Sequence, residues 1–202
     1  MPTLLIASRN THKAGEIAAI LGDNFTVRTL DEFPAAPEVI EDGDTFVANA
    51  VKKATEIAAW LGSQARPDLV LADDSGLEVD ALDGAPGVLS ARYAGGDDNA
   101  PDDANNAKLL RELADVLDDN RGAQFHCVLA LVALDQAAEV RIFEGICRGR
   151  IAQAQAGQGG FGYDPLFVPD GHELSFAELG REVKNTISHR ARALAKLAEY
   201  FR

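Results

Sequence analysis

The feature that most restricts the fold is an alternation of short apolar runs with segments whose apolar residues recur every three to four positions. Thr3 to Ala7 reads as a buried strand, and a helix follows from about Thr11 with Ala14, Ile17, Ala18 and Leu21 on one face. Gly22 closes that helix, and Phe25 to Leu30 alternates as a second strand. Asp44 or Thr45 caps a long helix carrying Phe46, Ala50, Val51, Ala54, Ile57, Ala58 and Leu61, which Gly62 ends. Leu69 to Ala72 is a short apolar strand running into Asp73-Asp74-Ser75-Gly76.

Strand signals dominate the middle of the chain. Pro101 opens a helix with Leu109, Leu110, Leu113, Val116 and Leu117. Phe125 to Leu134 and Glu139 to Cys147 are β-rich and joined by a short polar turn, the pattern of a hairpin. Gly157, Gly159, Gly160 and Gly162 precede Tyr163-Asp164-Pro165 and a short strand to Val168. Ser175 and Glu178 have capping-box spacing, and Ser188 caps a final helix with Leu194 and Leu197 inward. Strands mixed with helices, plus a hairpin, predict an α/β fold with a mixed central sheet flanked by helices. No linker or repeat divides the 202 residues, so residues 1–202 read as a single domain.

Charge narrows the partners. Lys plus Arg is 19 against 32 Asp plus Glu, a net charge of -13 that a nucleic-acid backbone or anionic lipid surface would repel. The balance is uneven: Arg181 to Arg202 holds six basic against two acidic residues, a local +4 that leaves -17 elsewhere. That strip suits either a small anion or a solvated helix face. No apolar run approaches the ~18 residues of a membrane span, and no basic stretch with an apolar core opens the chain, so a cytoplasmic location is expected. Cys127 and Cys147 are too few for a disulfide framework and read as buried thiols.

Five stretches could carry chemistry. Ser8-Arg9-Asn10-Thr11-His12-Lys13 lies where a strand meets a helix start, whose unpaired N–H groups suit an anion; an ordinary capped turn is the alternative. Lys13 in the first turn opposes the helix dipole, a cost that a bound phosphate would relieve. Asp73-Asp74-Ser75-Gly76 follows an apolar strand, where two adjacent carboxylates favour a hard cation such as Mg²⁺, although the same residues also make turns. Glu41-Asp42-Gly43-Asp44 offers a further metal-facing carboxylate or simply acidic charge before a helix. Gly157 to Pro165 lets backbone approach a ligand, with Phe161 as a flat face and Asp164 as an acceptor. Lys184-Asn185-Thr186-Ile187-Ser188-His189-Arg190 brings basic side chains to the last helix start, again against its dipole. Cations for phosphates, carboxylates for a metal and a glycine-aromatic loop for a flat ring together describe a nucleoside triphosphate site.

Taken in order, these stretches resemble the non-canonical purine nucleoside triphosphate pyrophosphatases, the ITP/XTP pyrophosphatase family. The matching blocks are Ser8 to Lys13 with Glu16, Asp44 to Ala50, Ala72 to Leu77, Gly84-Ala85-Pro86-Gly87, Ser90-Ala91-Arg92-Tyr93, Gly159 to Pro165 and Ile187 to Arg190. The resemblance implies a homodimer of two-lobed subunits with the active cleft between the lobes. It also implies Mg²⁺-dependent hydrolysis of ITP, dITP and XTP to the monophosphate and pyrophosphate, which cleanses the nucleotide pool. On the same basis Asp74 is the catalytic proton acceptor and, with Glu41, faces the metal, while Asp73 assists. Ser8, Arg9, Asn10, Thr11, His12, Lys13, Ser75 and Lys184 correspond to triphosphate contacts. Phe161, Gly162, Tyr163, Asp164, His189 and Arg190 correspond to the purine pocket.

That assignment carries a selectivity argument. ITP and XTP present an oxygen acceptor at purine C6 where ATP presents an amino donor, so His189 and Arg190 as donors accept the first and reject the second. Each unpaired buried donor costs ~1–3 kcal/mol. Arg9 and His12 depart from the family, which often has glycine at both places. Two rival readings share part of the pattern. A septum-inhibitor-type pyrophosphatase should lack Ile187-Ser188-His189-Arg190, and a non-catalytic nucleotide sensor would not need Asp74.

Overall fold

The computed structural model describes residues 1–62, 67–96, 99–135 and 139–202. β1 (Thr3–Ile6) lies parallel to β2 (Thr26–Thr29), with Thr3 opposite Thr26 and Ile6 opposite Thr29. The connection between them is α1 (Thr11–Leu21), which starts on the Asn10 side chain and stops at Gly22. α2 (Phe46–Leu61) is capped by Thr45, whose hydroxyl accepts the Ala48 N–H at 3.1 Å, which decides between the two cap candidates.

β3 (Leu69–Val79) is longer than the sequence suggests. It pairs in parallel with β1 only through Leu69, Val70 and Leu71, then continues through Asp73-Asp74-Ser75-Gly76 instead of turning there. Turn propensity in such a stretch comes largely from carboxylates seeking local backbone or water partners. Here both aspartates are buried and bonded to cationic side chains, so the extended backbone is kept.

α3 (Asp102–Glu112) follows Pro101 as expected but ends sooner, so Val116 and Leu117 lie outside it and Leu117 is exposed. The stop coincides with Arg121, a buried arginine that donates to the carbonyls of Leu113 at 2.7 Å, Ile151 at 2.9 Å and Ala152 at 3.1 Å. β4 (Gly122–Ala133) and β5 (Val140–Ile151) are sheet neighbours. The Ile151 N–H bonds the Arg121 carbonyl, so the end of β5 meets the start of β4, as a hairpin requires. Part of its polar turn, residues 136–138, lies outside the described residues. β6 (Phe167–Pro169) runs antiparallel to β5. α4 (Phe176–Ile187) begins with the expected Ser175/Glu178 capping box and kinks at Gly180, and α5 (His189–Tyr200) follows.

Among the described residues the strands form one mixed sheet in the order β2-β1-β3-β4-β5-β6. The chain divides into two compact units, and β3, β4 and β5 each run through both. The first unit comprises residues 1–74, 127–145 and 190–202; its core joins Leu4, Ile6, Ile17, Leu71, Leu129 and Leu194. The second comprises residues 75–126 and 146–189, with Leu77, Leu109, Phe125, Tyr163, Phe167 and Phe176 in its core. No helix among the described residues is long and apolar enough to cross a membrane.

Candidate active site

In the first unit, β3 carries two adjacent buried carboxylates into a set of cations. Asp73 is 1% exposed, with Lys13 Nζ 2.8 Å from Oδ1 and Arg190 Nε 2.9 Å from Oδ2. The Cys127 thiol donates to Oδ2 at 3.3 Å, and Arg190 Nη1 pairs with Glu16 on α1. Burial works against the charged form of Asp73, but Arg190 and Lys13 outweigh it and hold the carboxyl well below its ordinary range. Burial likewise opposes charge on Lys13, and Asp73 with Asp74 reverses this and raises its pKa. Lys13 and Arg190 both sit in first helical turns, against the dipole. The sequence invites a phosphate to explain that cost, and in the structure Asp73 already offsets it for both.

Asp74 is placed differently. Its Oδ1 lies 3.3 Å from Lys53 Nζ, which also reaches the Asp73 carbonyl at 2.8 Å and Glu41 Oε2 at 3.0 Å. Its Oδ2 is buried and receives no hydrogen bond from the described residues. Burial is the largest influence on this carboxyl. Lys53 and Lys13 oppose it, Glu41 adds to it, and the net result is a pKa raised to about 6. Glu41 remains below its ordinary value, because Lys53 and a hydrogen bond with the Asp74 carboxyl outweigh the effect of burial. The loop bearing Glu41 is fixed by Asn49 of α2, whose Oδ1 accepts the Gly43 N–H at 2.8 Å. A side chain on Gly43 would collide with that Asn49 oxygen, so glycine is required there for close approach.

This arrangement supplies a proton acceptor that titrates near neutrality beside two lysines. It also supplies two hard oxygen donors, Glu41 and Asp74, both paired with Lys53. No three His, Cys, Asp or Glu side chains among the described residues form a complete metal cage. Magnesium, however, is ordinarily held by one or two carboxylates and completes its shell with water and phosphate oxygens. The Asp74 oxygen that no donor among the described residues reaches, on a carboxyl beside Glu41, fits that demand.

The second unit holds the glycine-aromatic loop. Asp164, 1% exposed, accepts the Phe161 N–H at 2.9 Å and pairs with Lys184 at 2.5 Å. The Lys184 ammonium lies 4.5 Å from the Phe161 ring centroid, within cation–π range. Gly160 has φ +76, and a Cβ there would run into the Asp164 carboxylate, so both its backbone and its missing side chain are used. His189 stacks on Phe125 with centroids 4.7 Å apart and planes inclined by 13°. Tyr163 donates its hydroxyl to the Ser90 carbonyl at 2.8 Å.

The remaining residues singled out from the sequence are distributed as follows. Ser8 Oγ accepts the Asn10 N–H at 3.2 Å, and Asn10 caps α1 by accepting the Lys13 N–H at 3.0 Å. Arg9 donates to the Ala36 carbonyl at 2.7 Å, while Thr11 and His12 are exposed at the helix start. Ser75 follows Asp74 in β3, partly buried. Lys184 sits with the aromatic loop, and Arg190 turns its nitrogens to Asp73 and Glu16. Sequence reasoning passed over Lys53, although a signal was present. Lys53 lies on the buried stripe of α2 with Asn49, Ala50, Ala54 and Ile57, an unusual place for a lysine without a carboxylate to meet.

An α/β fold whose strand delivers paired carboxylates to lysines held on helices, next to a helix start, belongs to the class of proteins that handle phosphate-bearing ligands. More specifically, the chain belongs to the Ham1 family, whose profile matches residues 4–200. It is 50% identical to the dITP/XTP pyrophosphatase of Opitutus terrae, with 98% of each protein covered. It is 51% identical to the dITP/XTP pyrophosphatase of Geobacter sulfurreducens, with 99% of this chain and 96% of that protein covered. Among solved structures, a HAM1 protein from Coxiella burnetii matches with a TM-score of 0.86 and 40% identity, covering 100% of this chain and 98% of that one. The Staphylococcus aureus Ham1 protein matches with 0.83 and 38%, covering 98% and 97%.

Proposed function

We propose that this chain hydrolyses the non-canonical purine nucleoside triphosphates ITP, dITP and XTP to the monophosphate and pyrophosphate, and so keeps deaminated purines out of the nucleotide pool. The observation that carries the reading is Asp74: a buried carboxyl beside Glu41, raised to about 6, with no donor among the described residues on one oxygen and Lys53 on the other. Two of the relatives named above are called dITP/XTP pyrophosphatases, which supports the reading.

Asp74 takes a proton from water as that water attacks the α-phosphorus, and the bond between the α-phosphorus and the bridging oxygen breaks. Its electron pair leaves with pyrophosphate. Lys53 keeps Asp74 oriented, and Lys13 with the α1 start faces the growing negative charge on the phosphates. Ser8 to Lys13 and Ser75 are the phosphate contacts in this reading. Glu41 and Asp74 would hold Mg²⁺, which when bound supplies positive charge to the phosphate oxygens. Phe161 to Asp164, Lys184 and His189 take the purine, with a donor toward the C6 oxygen. Arg190 acts through Asp73. The family resemblance further supports a homodimeric, cytoplasmic enzyme.

Product analysis tests the reading directly. ITP, XTP, GTP and ATP are offered separately with Mg²⁺, and pyrophosphate is resolved from orthophosphate. Pyrophosphate from ITP and XTP, with ATP and GTP largely spared, is the expected result. Orthophosphate, or equal cleavage of all four, refutes the assignment of specificity, and no turnover at all favours a nucleotide sensor.

A further inference from the structure

We infer that the first two turns of α3 position the aromatic loop for the base, with Asp102 holding the N–H and Asn106 the carbonyl of Gly162. This rests on the reading above that Phe161 and its neighbours take the purine.

The grip is complete at the level of one residue. Asp102 Oδ2 accepts the Gly162 N–H at 2.6 Å, and Asn106 Nδ2 donates to the Gly162 carbonyl at 3.0 Å. Positions 102 and 106 are one helical turn apart and share a face. Asn106 is 1% exposed, and its Oδ1 is buried with no hydrogen-bond partner among the described residues. Its amide orientation is nevertheless determined, because Nδ2 faces two acceptors, the Gly162 carbonyl and Gln155 Oε1 at 3.4 Å. An asparagine kept buried at the cost of an unsatisfied oxygen is better explained by what its nitrogen holds than by packing.

The neighbouring Asn105 holds the Ser90 to Tyr93 stretch, accepting the Ala94 N–H at 2.7 Å and donating to the Ala91 carbonyl at 3.1 Å. Ser90 in turn receives the Tyr163 hydroxyl. Adjacent asparagines on one helix thus restrain Gly162 directly and Tyr163 through the segment that receives its hydroxyl. Gly162, with φ +62, has no side chain to anchor it, so it is held through the two peptide groups that flank its Cα. Fixing the peptide between Phe161 and Gly162 limits the swing of the Phe161 ring. The residues position the loop and touch no substrate themselves, so their loss should weaken base binding and spare the phosphate chemistry.

The test is steady-state kinetics on ITP for Asn106→Ala, Asp102→Ala, Asp102→Asn and Phe161→Ala, with melting temperatures for each. Losing one hydrogen bond of the grip should raise KM for ITP about tenfold at nearly constant kcat. Asp102→Asn retains an acceptor oxygen and should restore KM, which separates the grip from the loss of a charge. Asn106→Ala added to Phe161→Ala should raise KM no further, because the loop then has no ring to position. If Asn106→Ala fails to fold, the exposed Asp102 pair decides. Unchanged KM in the Asp102 and Asn106 variants, with a raised KM in Phe161→Ala, overturns the positioning role and leaves the base-site reading intact. Unchanged KM in Phe161→Ala overturns both.

Discussion

Replacing Asp74 by asparagine should make the metal-free protein more stable while destroying its turnover. The carboxyl is 6% exposed and its pKa is raised from 3.8 to about 6, with burial as the main cause. A carboxyl with a raised folded pKa contributes stability that is fully present below 3.8 and is lost as pH rises through about 6. At ~1.4 kcal/mol per tenfold, holding Asp74 ionised in the folded state at pH 8 costs about 3 kcal/mol. Asparagine removes the charge and keeps the shape. For a chain of this size, ~1 kcal/mol moves Tm by ~2–4 °C, so a rise of roughly 6–12 °C is expected at pH 8. The assay is thermal unfolding of both proteins with EDTA from pH 4 to pH 8. Their Tm values should converge at the acid end, separate as pH rises from about 4, and reach a constant gap above about 6. The contribution of Asp73, lost at low pH, is common to both and cancels. Equal Tm at pH 8, or a gap independent of pH, refutes the reasoning, and retained hydrolysis of ITP removes Asp74 from the chemistry.

Two further substitutions probe the buried cations. Arg190→Lys keeps one charge but cannot reach both Asp73 and Glu16 with a planar fork, so the urea midpoint should fall by the equivalent of about 3 kcal/mol. An unchanged midpoint with a raised KM for ITP would instead make Arg190 a direct reader of the base. Arg121→Met strips the donors from the carbonyls of Leu113, Ile151 and Ala152, and about 3 kcal/mol should disappear from the denaturation midpoint while kcat per folded molecule is kept. A midpoint equal to wild type contradicts the role given to those bonds.

Periodicity and punctuation reveal much of this fold in advance. Gly22, Gly62 and the Ser175/Glu178 pair mark helix ends where the helices in fact start and stop, because capping is local chemistry. The errors arise where distant partners override local preference. Asp73-Asp74 carries turn chemistry, yet it stays extended because Lys13, Lys53 and Arg190 come from three helices to meet it. α3 ends early because Arg121 takes up the Leu113 carbonyl. The candidate site was legible as a list of blocks, and its internal pairing was not. Nothing local says that Lys184 will choose Asp164, or that Arg190 will choose Asp73 and Glu16. Lys53 is the instructive case, since its place among Ala50, Ala54 and Ile57 called for a buried partner that the pair Glu41 and Asp74 supplies.

The chain's two cysteines have a practical consequence. Cys127 belongs to the first unit and Cys147 to the second, and both are almost wholly buried without a disulfide. Burial, reinforced by Asp73, pushes the Cys127 thiol well above its ordinary range, so an alkylating reagent finds no thiolate there until the surrounding structure opens. Each unit therefore contains its own native chemical clock. Timed modification, read cysteine by cysteine in a mass spectrometer, reports how often each half of the molecule breathes, with no label and no engineered residue.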